Sequence, residues 1–501
     1  MGQKELLQKL LATVRANEAR ADLDLVERAY NFAADAHSAQ KRNSGEPYII
    51  HPLSTAITLA EMNLPGPIIA AGLLHDVPED TEVTLEQIEQ EFGSEISKLV
   101  AGITKLGKIK YRGIERYIEN LRKMFLAMAE DVRVVIIKFA DRLHNLETLE
   151  AIPPKKQYRV ALESLEIFAP IANRLGMGEM KGRLEDAAFK YVFPKEYEWT
   201  QNLVQASERQ KHGYLDNIMA MARQDLLDAG IKDLEIHGRA KHLYSTYRKL
   251  IRHERNIARV YDLMAIRVLV PTVADCYAAL GIIHGRWTPL KGRIKDYMAQ
   301  PKPNGYRSLH TTVFCEDGEI VEFQIRTYEM HRSAEYGIAA HWSYSEQDKS
   351  RAAKSTDPNL AWVTQLADIQ QEIRDKKTFL HSLEDLKIDV FHDRIFVFTP
   401  KGDVLELPEE STPVDFAYCL HTEVGNTCSQ AKVNDEIVSL DQTLKSGDLV
   451  EIITDKNRKG PNPDWLKFVK TRHAKSKVRQ YARAGIASWI KGVLPTKLLK
   501  K

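Results

Sequence analysis

The sequence lacks most of the features that would place it in a membrane, in an oxidising compartment or in a common nucleotide-binding fold. No apolar run approaches the ~20 residues that a membrane-spanning helix needs, and no segment resembles a signal peptide. The 4 cysteines form no CxxC pair, which argues against a disulfide framework or a zinc ribbon. Neither GxxxxGK[ST] nor GxGxxG occurs. We therefore expect a cytoplasmic protein with no membrane partner.

The length and the local charge indicate several domains and a polyanionic partner. A chain of 501 residues is long enough for about three to four domains. Its 44% hydrophobic and 28% charged residues are typical of a globular protein. The net charge of +2 conceals a basic stretch, because residues 464–501 carry eleven Lys/Arg against one acidic residue. Such a tail favours RNA or another polyanion as a ligand.

The string LLHDVPEDT at residues 73–81 is the strongest chemical signal in the N-terminal part. On a helix, His75 would share a face with Glu79, and Asp76 would share a face with Asp80. Four ionisable groups at the end of an apolar helix are costly unless a cation holds them. The string therefore predicts a divalent metal site.

Two other segments supply candidates that complete this metal site. His51 ends the apolar run YIIHP, and a predicted helix presents Asp141, Asn145 and Thr148 at i, i+4 and i+7. Two imidazoles and two carboxylates suit Mn²⁺, Fe²⁺ or Mg²⁺ better than structural zinc. Such a metal polarises a phosphoryl oxygen or generates hydroxide, while the adjacent acidic pair orients or deprotonates water. The alternative is that His51 is a core histidine with ordinary hydrogen-bond partners and that the acidic pair is a solvated helix end.

The periodicity of the apolar residues divides the chain into regions. Residues 1 to about 195 predict an almost entirely helical region, and near residue 255 the pattern changes to that of strands. A hairpin is expected from strands at 310–314 and 320–326. Residues 346–360 are polar and predict a linker or mobile loop, and from residue 388 short strands return in a small α+β module.

The middle region predicts a phosphate site built without a P-loop. Residues 239–259 carry seven Lys/Arg against one acidic residue. A solvated basic helix face is the alternative, above all for Arg252 and Arg255. The members that we expect to contact phosphates are Arg239, Lys241, Ser245 and Lys249.

The strand at 322–326 presents a polar face. Alternation directs Glu322, Gln324 and Arg326 to one side of it. Asp262, in the neighbouring strand candidate, is expected to face the same cavity. Two carboxylates on adjacent strands can hold Mg²⁺ against a triphosphate, and one of them can activate a hydroxyl nucleophile.

A proline-stiffened turn, PKPNGYRSLH at 301–310, lies between those strands. Tyr306 offers a stacking plane for a base, and Lys302 and His310 can stabilise phosphate charge. The alternative is an ordinary hairpin loop with a surface tyrosine.

Several strings, taken in order, resemble the long Rel/SpoT family of bifunctional (p)ppGpp synthetase/hydrolases, the alarmone enzymes of the stringent response. They are KRNSGEPYIIHP, LLHDVPEDT, KFADRLHNLETL, GRAKHLYSTYRK, YDLMAIRV, RIKDYMAQPKPNGYRSLHTTV, VEFQIRT and AEYGIAAHWSY. The resemblance implies a multidomain fold. Its parts are an all-α HD hydrolase domain with connecting helices (1–195), an α+β nucleotidyltransferase-like synthetase domain (196–345), a linker and helix (346–387), a small α+β TGS domain (388–455) and a basic helical tail (456–501).

In the hydrolase domain the resemblance implies removal of the 3′-pyrophosphate of (p)ppGpp, giving GDP or GTP. Glu79 and Asp80 match the pair that handles the hydrolytic water. The implied Mn²⁺ ligands are His51, His75, Asp76 and Asp141. The positions around the guanosine are Arg42, Ser44, Asn145 and Thr148. Two residues depart from the family pattern: Pro78, which we expect to end the helix early, and Asn43, where relatives carry a basic residue.

In the synthetase domain the resemblance implies transfer of the β,γ-pyrophosphate of ATP to the 3′-OH of GDP or GTP. Asp262 and Glu322 match the Mg²⁺ and catalytic carboxylates, with Glu322 activating the acceptor hydroxyl, and Tyr306 stacks on the acceptor guanine. The matching ATP-site positions are Arg239, Lys241 and Lys249. The matching acceptor loop and strand contain Lys302, Asn304, His310 and Gln324. Arg293 and Lys295 belong to an RxKD string that is associated with bifunctional members.

The C-terminal part resembles a TGS domain through DFAYCLHTEVG at 415–425, which would place His421 near the acceptor end of tRNA. Deacylated tRNA and the ribosome are the implied partners, and we expect the chain to lack the zinc-finger and ACT domains of full-length members. Our main hypothesis is a bifunctional enzyme whose activities are reciprocally regulated through residues 150–205. The alternatives are that one activity alone is retained, or that the chain is chiefly a tRNA- or ribosome-binding sensor.

Overall fold

The computed structural model forms two compact units, Met1–Glu372 and Ile373–Lys501. The structure describes residues 2–17, 22–107, 123–210, 213–239, 241–256, 265–302, 304–342, 394–401, 403–445, 447–455, 457–458 and 460–493. The polar segment predicted as a linker at 346–360 lies outside these residues.

The first unit begins with helices, which confirms the predicted helical region within the described residues. The helices are α1 (Gln3–Asn17), α2 (Leu23–Ala36), α3 (Ile50–Glu61), α4 (Gly66–Leu74), α5 (Val77–Asp80), α6 (Leu85–Phe92), α7 (Ser94–Gly107), α8 (Val132–Glu147), α9 (Pro154–Glu163), α10 (Ala169–Arg174), α11 (Gly178–Val192), α12 (Pro194–Gln210) and α13 (Tyr214–Asp228). Residues 68–74 of α4 are all buried, because no polar side chain interrupts that run. α4 therefore brings its C-terminal end, with the adjoining His75, into the interior, whereas Glu79 and Asp80 are exposed.

A mixed sheet follows in the same unit. Its elements are β1 (Glu235–Gly238), α14 (Leu243–Arg252), β2 (Ala265–Val270), α15 (Val273–Arg286), β3 (Thr288–Pro289), β4 (Lys295–Asp296), β5 (Leu309–Phe314), β6 (Ile320–Thr327), α16 (Tyr328–Tyr336) and α17 (Ala339–Trp342). The strand order is β1-β2-β6-β5-β3, with β4 beside β5. β2 and β6 are parallel, and β5 and β6 form the predicted antiparallel hairpin.

The central strand β6 has an apolar face and a polar face, as its alternating sequence predicts. Phe323 and Ile325 belong to the hydrophobic core, where the ring of Trp287 stacks on Phe323 at 5.5 Å between centroids. Gln324 and Arg326 on the opposite face are also buried, each about 1% exposed. Polar groups buried at this depth need partners, so this face is organised as a hydrogen-bonded site rather than a wet surface.

The helical region and the sheet are joined at a close backbone contact. The amide of Ile338 donates to the carbonyl of Leu175 at 3.0 Å. Gly337 has φ +55°, and a Cβ there would collide with the backbone at Leu175 and Gly176. Glycine is required on both counts. Helix α11 packs on α8, α14 and α16, so it contacts helices on both sides of this junction.

The second unit is a small α+β structure. It contains β7 (Arg394–Phe398), β8 (Val404–Pro408), α18 (Pro413–Leu420), α19 (Thr422–Thr427), β9 (Cys428–Val433), β10 (Glu436–Val438), β11 (Val450–Thr454) and α20 (Arg472–Val493). The buried carboxylate of Asp415 accepts hydrogen bonds from the amides of Thr412, Lys470 and Thr471 at 3.0, 2.9 and 2.7 Å, which ties α18 to the start of α20. Within the described part of the chain, no helix combines the length and apolar character that crossing a bilayer requires.

Candidate active sites

Three helices of the first unit bring a cluster of possible metal ligands together. His51 lies in the first turn of α3, His75 directly after α4, and Asp141 in α8. Their ligand atoms all lie within 4.8 Å of one another, and all three residues are buried. Nε2 of His51 is 3.1 Å from Oδ1 of Asp141 and 3.4 Å from Oδ2 of Asp76. The four predicted ligands therefore converge.

The donor set and one unsatisfied atom fit a divalent metal. Nδ1 of His75 donates to the carbonyl of Gly72 at 2.7 Å, which leaves Nε2 as the available ligand atom. That Nε2 is buried without a hydrogen-bond partner, and it lies 3.2 Å from Oδ1 of Asp76. A buried polar atom without a partner is unusual in a native protein, and a cation shared with Asp76 would satisfy it.

The electrostatic surroundings favour the forms that bind a cation. Burial lowers the pKa of His51, so its imidazole is neutral. Burial opposes ionisation of Asp141, but Lys138, whose Nζ is 2.7 Å away, holds the pKa of that carboxyl well below its usual range. Burial also raises the pKa of Glu79, which suits a group that must accept a proton near neutral pH.

The string at 73–81 is divided between two helices, although His75 and Asp76 keep right-handed helical backbone angles and the amide of Asp80 donates to the carbonyl of Asp76 at 3.0 Å. α4 ends at Leu74, and α5 begins at Val77. Asp76 and Asp80 nevertheless lie close together, because the hydroxyl of Tyr48 is within 2.9 Å of one carboxylate and 2.6 Å of the other. Pro78 falls in the first turn of α5, where its missing N–H has no intrahelical partner to lose. The helix therefore ends four residues before the proline.

Two of the four predicted guanosine contacts lie at the edge of the metal cluster. Arg42 donates to Oδ1 of Asn145 at 2.9 Å, and the amide of Asn145 donates to Oδ1 of Asp141 at 2.6 Å. The hydroxyl of Thr148, directly after α8, donates to the carbonyl of His144 in that helix. Ser44 is exposed, and its hydroxyl is 3.4 Å from Glu46. The structure therefore groups Arg42 and Asn145 with the ligands and leaves Ser44 at the surface.

A second polar cluster lies on β5, β6 and the turn before them. Nδ1 of His310 is 2.8 Å from Oε1 of Glu322, and Nε2 of the same ring is 2.7 Å from the hydroxyl of Tyr306. Arg326 donates to Oε1 of Gln324 at 3.0 Å and to the Tyr306 hydroxyl at 3.2 Å. The polar face of β6 is therefore one connected network that ends at the tyrosine.

The surroundings of this network are basic. Nζ of Lys302 lies 5.3 Å from the centroid of the Tyr306 ring. Burial lowers the pKa of His310, which keeps the ring neutral and able to accept at one nitrogen while donating at the other. A neutral ring between a phenol and a carboxylate is suited to fixing the orientation of that carboxylate.

The comparisons with known proteins follow the order of these sites along the chain. Residues 29–178 match the HD domain family, residues 238–349 match a region found in RelA and SpoT proteins, and residues 395–454 match the TGS domain family. A GTP pyrophosphokinase of Streptomyces coelicolor is 48% identical over 494 residues, which cover 95% of this chain and 58% of that protein. A bifunctional (p)ppGpp synthase/hydrolase, RelA of Mycobacterium tuberculosis, is 46% identical over 484 residues, covering 95% of this chain and 65% of that protein.

Over more than 90% of its length the chain is similar to proteins of the RelA/SpoT type. A probable guanosine-3′,5′-bis(diphosphate) 3′-pyrophosphohydrolase of Synechocystis is 47% identical over 468 residues, covering 93% of this chain and 61% of the relative. The chain thus spans about three fifths of the length of these RelA/SpoT relatives. The predicted fold class is confirmed, with a helical HD domain, an α+β RelA/SpoT region and an α+β TGS domain. The HD domain and the cluster of His51, His75 and Asp141 indicate a divalent metal site.

The other residues predicted for the ATP site lie on β1, α14 and the segments beside them. Asp262 lies outside the described residues. The amide of Arg239 bonds the carbonyl of Ala265 at the end of β1. Lys241 precedes α14, which carries Ser245 and Lys249, and the hydroxyl of Ser245 is 3.5 Å from Glu185 of α11.

Four more predicted positions remain, and the side-chain oxygen of one of them, Asn304, accepts from the amide of Tyr306 at 3.3 Å. Arg293 and Lys295 are exposed at β4. The side chain of Asn304 reaches the carbonyl of Asn173 at 3.3 Å, so this acceptor-loop residue forms part of the junction with the HD domain. In the TGS domain, Nδ1 of His421 accepts from the amide of Glu423, and the residue is exposed.

Three site residues were missed in the sequence. Lys138 stands three residues before Asp141, a helical spacing that signals an ion pair. Tyr48 stands three residues before His51, but its contact with Asp80 gives no local signal. His144 contacts Arg42 and His51 across about a hundred residues of chain, which periodicity does not report.

Proposed function

We propose that this chain is a bifunctional alarmone enzyme. It transfers pyrophosphate from ATP to the 3′-OH of GDP or GTP, making (p)ppGpp and releasing AMP, and it hydrolyses (p)ppGpp to GDP or GTP and pyrophosphate. The observation that carries the proposal is the presence of two separate polar clusters in one compact unit, one of metal-ligand type and one built on a basic, tyrosine-capped strand pair. Relatives named for each activity align with more than 90% of the chain.

In the hydrolase site, Mn²⁺ would be held by His51, His75, Asp76 and Asp141. When bound, such an ion polarises the leaving phosphate and activates water. Glu79, whose pKa is raised by burial, accepts the proton of that water. The hydroxyl of Tyr48 holds the carboxylate of Asp80 in place next to Glu79. Arg42 and Asn145 orient the guanosine.

In the synthetase site, Glu322 accepts the proton of the acceptor 3′-OH. The oxygen then bonds to the β-phosphorus of ATP while the bond from that phosphorus to the α,β-bridging oxygen breaks, and AMP leaves. His310 donates to Glu322 and fixes its lone pairs toward the acceptor, and Tyr306 stacks on the guanine. Asp262 and Glu322 would hold Mg²⁺. The groups that neutralise the nucleotide phosphates are Arg239, Lys241, Ser245, Lys249, Arg293, Lys295 and Lys302.

Two variants of the whole chain test whether the clusters act separately. We expect Glu322→Gln to abolish synthesis and leave hydrolysis, and His75→Ala to abolish hydrolysis and leave synthesis. Glu319→Gln, in the same hairpin, is the matched control and should keep both activities. If one of the two variants lost both activities while unfolding at the wild-type temperature, the two-site proposal would be wrong.

We also propose that the two activities are reciprocally regulated through α11, because this helix packs on α8, which carries Asp141, and on α14 and α16 beside the synthetase site. Nucleotide at one site then disfavours the active form of the other. Tyr306→Ala should change the rate of hydrolysis, and Asp76→Ala should change the affinity for ATP or GDP. Unchanged values at the opposite site in both variants would exclude coupling.

A tRNA-binding role is a second candidate, favoured by the TGS match and by the basic residues 464–501. Deacylated tRNA, in the context of the ribosome, is the proposed partner, with His421 near its acceptor end. Its binding to the whole chain should weaken as salt rises, and replacing Lys467 and Arg479 with Gln should reduce the salt dependence by up to about two phosphate contacts. Absence of tRNA binding at low salt would exclude this role.

A further inference from the structure

His144 lies beneath the metal cluster without being a ligand. It follows Asp141 by three residues on α8 and is 8% exposed. Two groups converge on its Nδ1, namely Nδ1 of His51 at 2.8 Å and a terminal guanidinium nitrogen of Arg42 at 3.0 Å. Nδ1 of His144 therefore contacts both His51, a predicted metal ligand, and Arg42, a predicted substrate contact.

The protonation of these three side chains follows from their donor and acceptor chemistry. A guanidinium only donates, so the nitrogen of His144 that faces Arg42 must carry a lone pair. Nδ1 of His51 faces the same lone pair, so it must carry a proton and donate as well. The proton of neutral His144 is then on Nε2, and the lone pair of His51 is on Nε2.

The lone pair of His51 is in this way directed at the ligand cluster. Its Nε2 lies 3.1 Å from Oδ1 of Asp141 and 3.4 Å from Oδ2 of Asp76. His75 also carries its proton on Nδ1, but in this residue the acceptor is the backbone carbonyl of Gly72 at 2.7 Å. Ligand histidines usually donate to a carboxylate, a carbonyl or water. His51 is unusual in relying on a second imidazole.

We infer that His144 is a positioning residue of the hydrolase site, which fixes the tautomer of His51 and links it to Arg42. The inference rests on the proposed hydrolase function. Arg42 and His51 both donate to Nδ1 of His144. When a bound nucleotide takes over the guanidinium of Arg42, that nitrogen accepts from His51 alone. The hydrogen bond that orients the ligand then strengthens, and nucleotide binding at Arg42 raises the affinity for the metal.

Two substitutions separate the acceptor role from simple packing. His144→Leu removes the acceptor, and His144→Asn places an amide oxygen near the position of Nδ1. The affinity of the whole chain for Mn²⁺ alone is measured from the free-ion electron paramagnetic resonance signal. We expect a loss of about 10- to 100-fold in His144→Leu and near wild-type affinity in His144→Asn. Synthesis from ATP and GDP should persist in both, which controls for folding.

Each other result overturns the inference. Wild-type Mn²⁺ affinity in His144→Leu would mean that the acceptor is not needed, and an equal loss in His144→Asn would mean that packing alone matters. Nitrogen-15 NMR of the metal-free chain gives an independent readout, in which His51 should be protonated at Nδ1 and His144 at Nε2, and the reverse pair of tautomers contradicts the geometry. If the unaltered chain bound no Mn²⁺, the hydrolase proposal itself would fail and the inference with it.

Discussion

His310 and Glu322 are paired across β5 and β6, with Nδ1 of the ring 2.8 Å from the carboxylate. The other nitrogen of the ring is held by the Tyr306 hydroxyl at 2.7 Å. The imidazole therefore has a fixed orientation, and it presents the carboxylate in one rotamer. This relationship makes His310 an orienting group for the proposed base.

Replacement of His310 with Gln should lower kcat for synthesis on the order of 10²-fold, because Glu322 loses the donor that aligns it. The KM for ATP should change little, since the ATP-site residues lie on other elements. Steady-state kinetics with ATP and GDP provide the measurement, with hydrolysis of (p)ppGpp as the internal control. An increase in KM alone would assign His310 to binding rather than to alignment.

Removal of the Tyr48 hydroxyl should slow hydrolysis and spare synthesis. In Tyr48→Phe the carboxylates of Asp76 and Asp80 lose the group that holds them within 2.9 and 2.6 Å of one atom. We expect kcat for hydrolysis to fall about tenfold, the equivalent of roughly 1.4 kcal/mol. Tyr158→Phe, at a half-exposed tyrosine of α9, is the matched control. Wild-type hydrolysis in Tyr48→Phe would show that the two carboxylates keep their places unaided.

Substitution of Pro78 should have little effect. The residue lies in the first turn of α5, where proline is well tolerated. Pro78→Ala should therefore change the rate of hydrolysis less than about twofold and the free energy of unfolding by less than about 1 kcal/mol. A large gain in hydrolysis in this variant would instead mean that the proline restrains the HD string.

The contact between α11 and α14 should weaken in alkaline solution. His242 lies 2.8 Å from Asp186 and 3.6 Å from Glu179. Burial opposes the charged ring, but the hydrogen bond to Asp186 and the negative charges of the two carboxylates outweigh it and raise the pKa of His242 to about 9. The folded-state pKa exceeds the unfolded value of about 6.5, so the stabilisation is complete below that pH and is lost as pH rises toward 9.

The wild-type chain and His242→Gln provide the measurement for this pH dependence. The difference in their melting temperatures should be largest near pH 6 and should vanish above about pH 9, with a stabilisation of at most about 3 kcal/mol at the lower pH. A difference that stays constant across this range would indicate that packing against Gly182, and not charge, is what His242 contributes.

The sequence carries the information for elements whose patterns are local. The apolar run before Asp141 predicts α8, and the alternation at 322–326 predicts both faces of β6, including the burial of Phe323. Pro78 predicted an early end of the helix at 73–81, but α4 already ends at Leu74, four residues before that proline. The Tyr48–Asp80 bridge and the junction at Gly337 depend on segments that are far apart in sequence, which no periodicity records.

The hydrogen-bond partners of the predicted site residues could not be predicted from the sequence. Glu322 was expected to act as a base, but its alignment by His310 depends on the register of two strands. Asn304 is predicted to contact nucleotide, and its side-chain amide also donates to the carbonyl of Asn173, because the acceptor loop approaches the HD domain there. Residue type and spacing predicted which chemistry is present, whereas the tertiary contacts determine which group orients which.

Identification of the nucleotide products tests the central claim most directly. The whole chain is incubated with ATP, GDP and Mg²⁺, and separately with ppGpp and Mn²⁺, and the products are separated by anion-exchange chromatography. We expect ppGpp and AMP from the first mixture, and GDP and pyrophosphate from the second. Failure of either mixture to yield its products, with a correctly folded chain, would contradict a bifunctional enzyme.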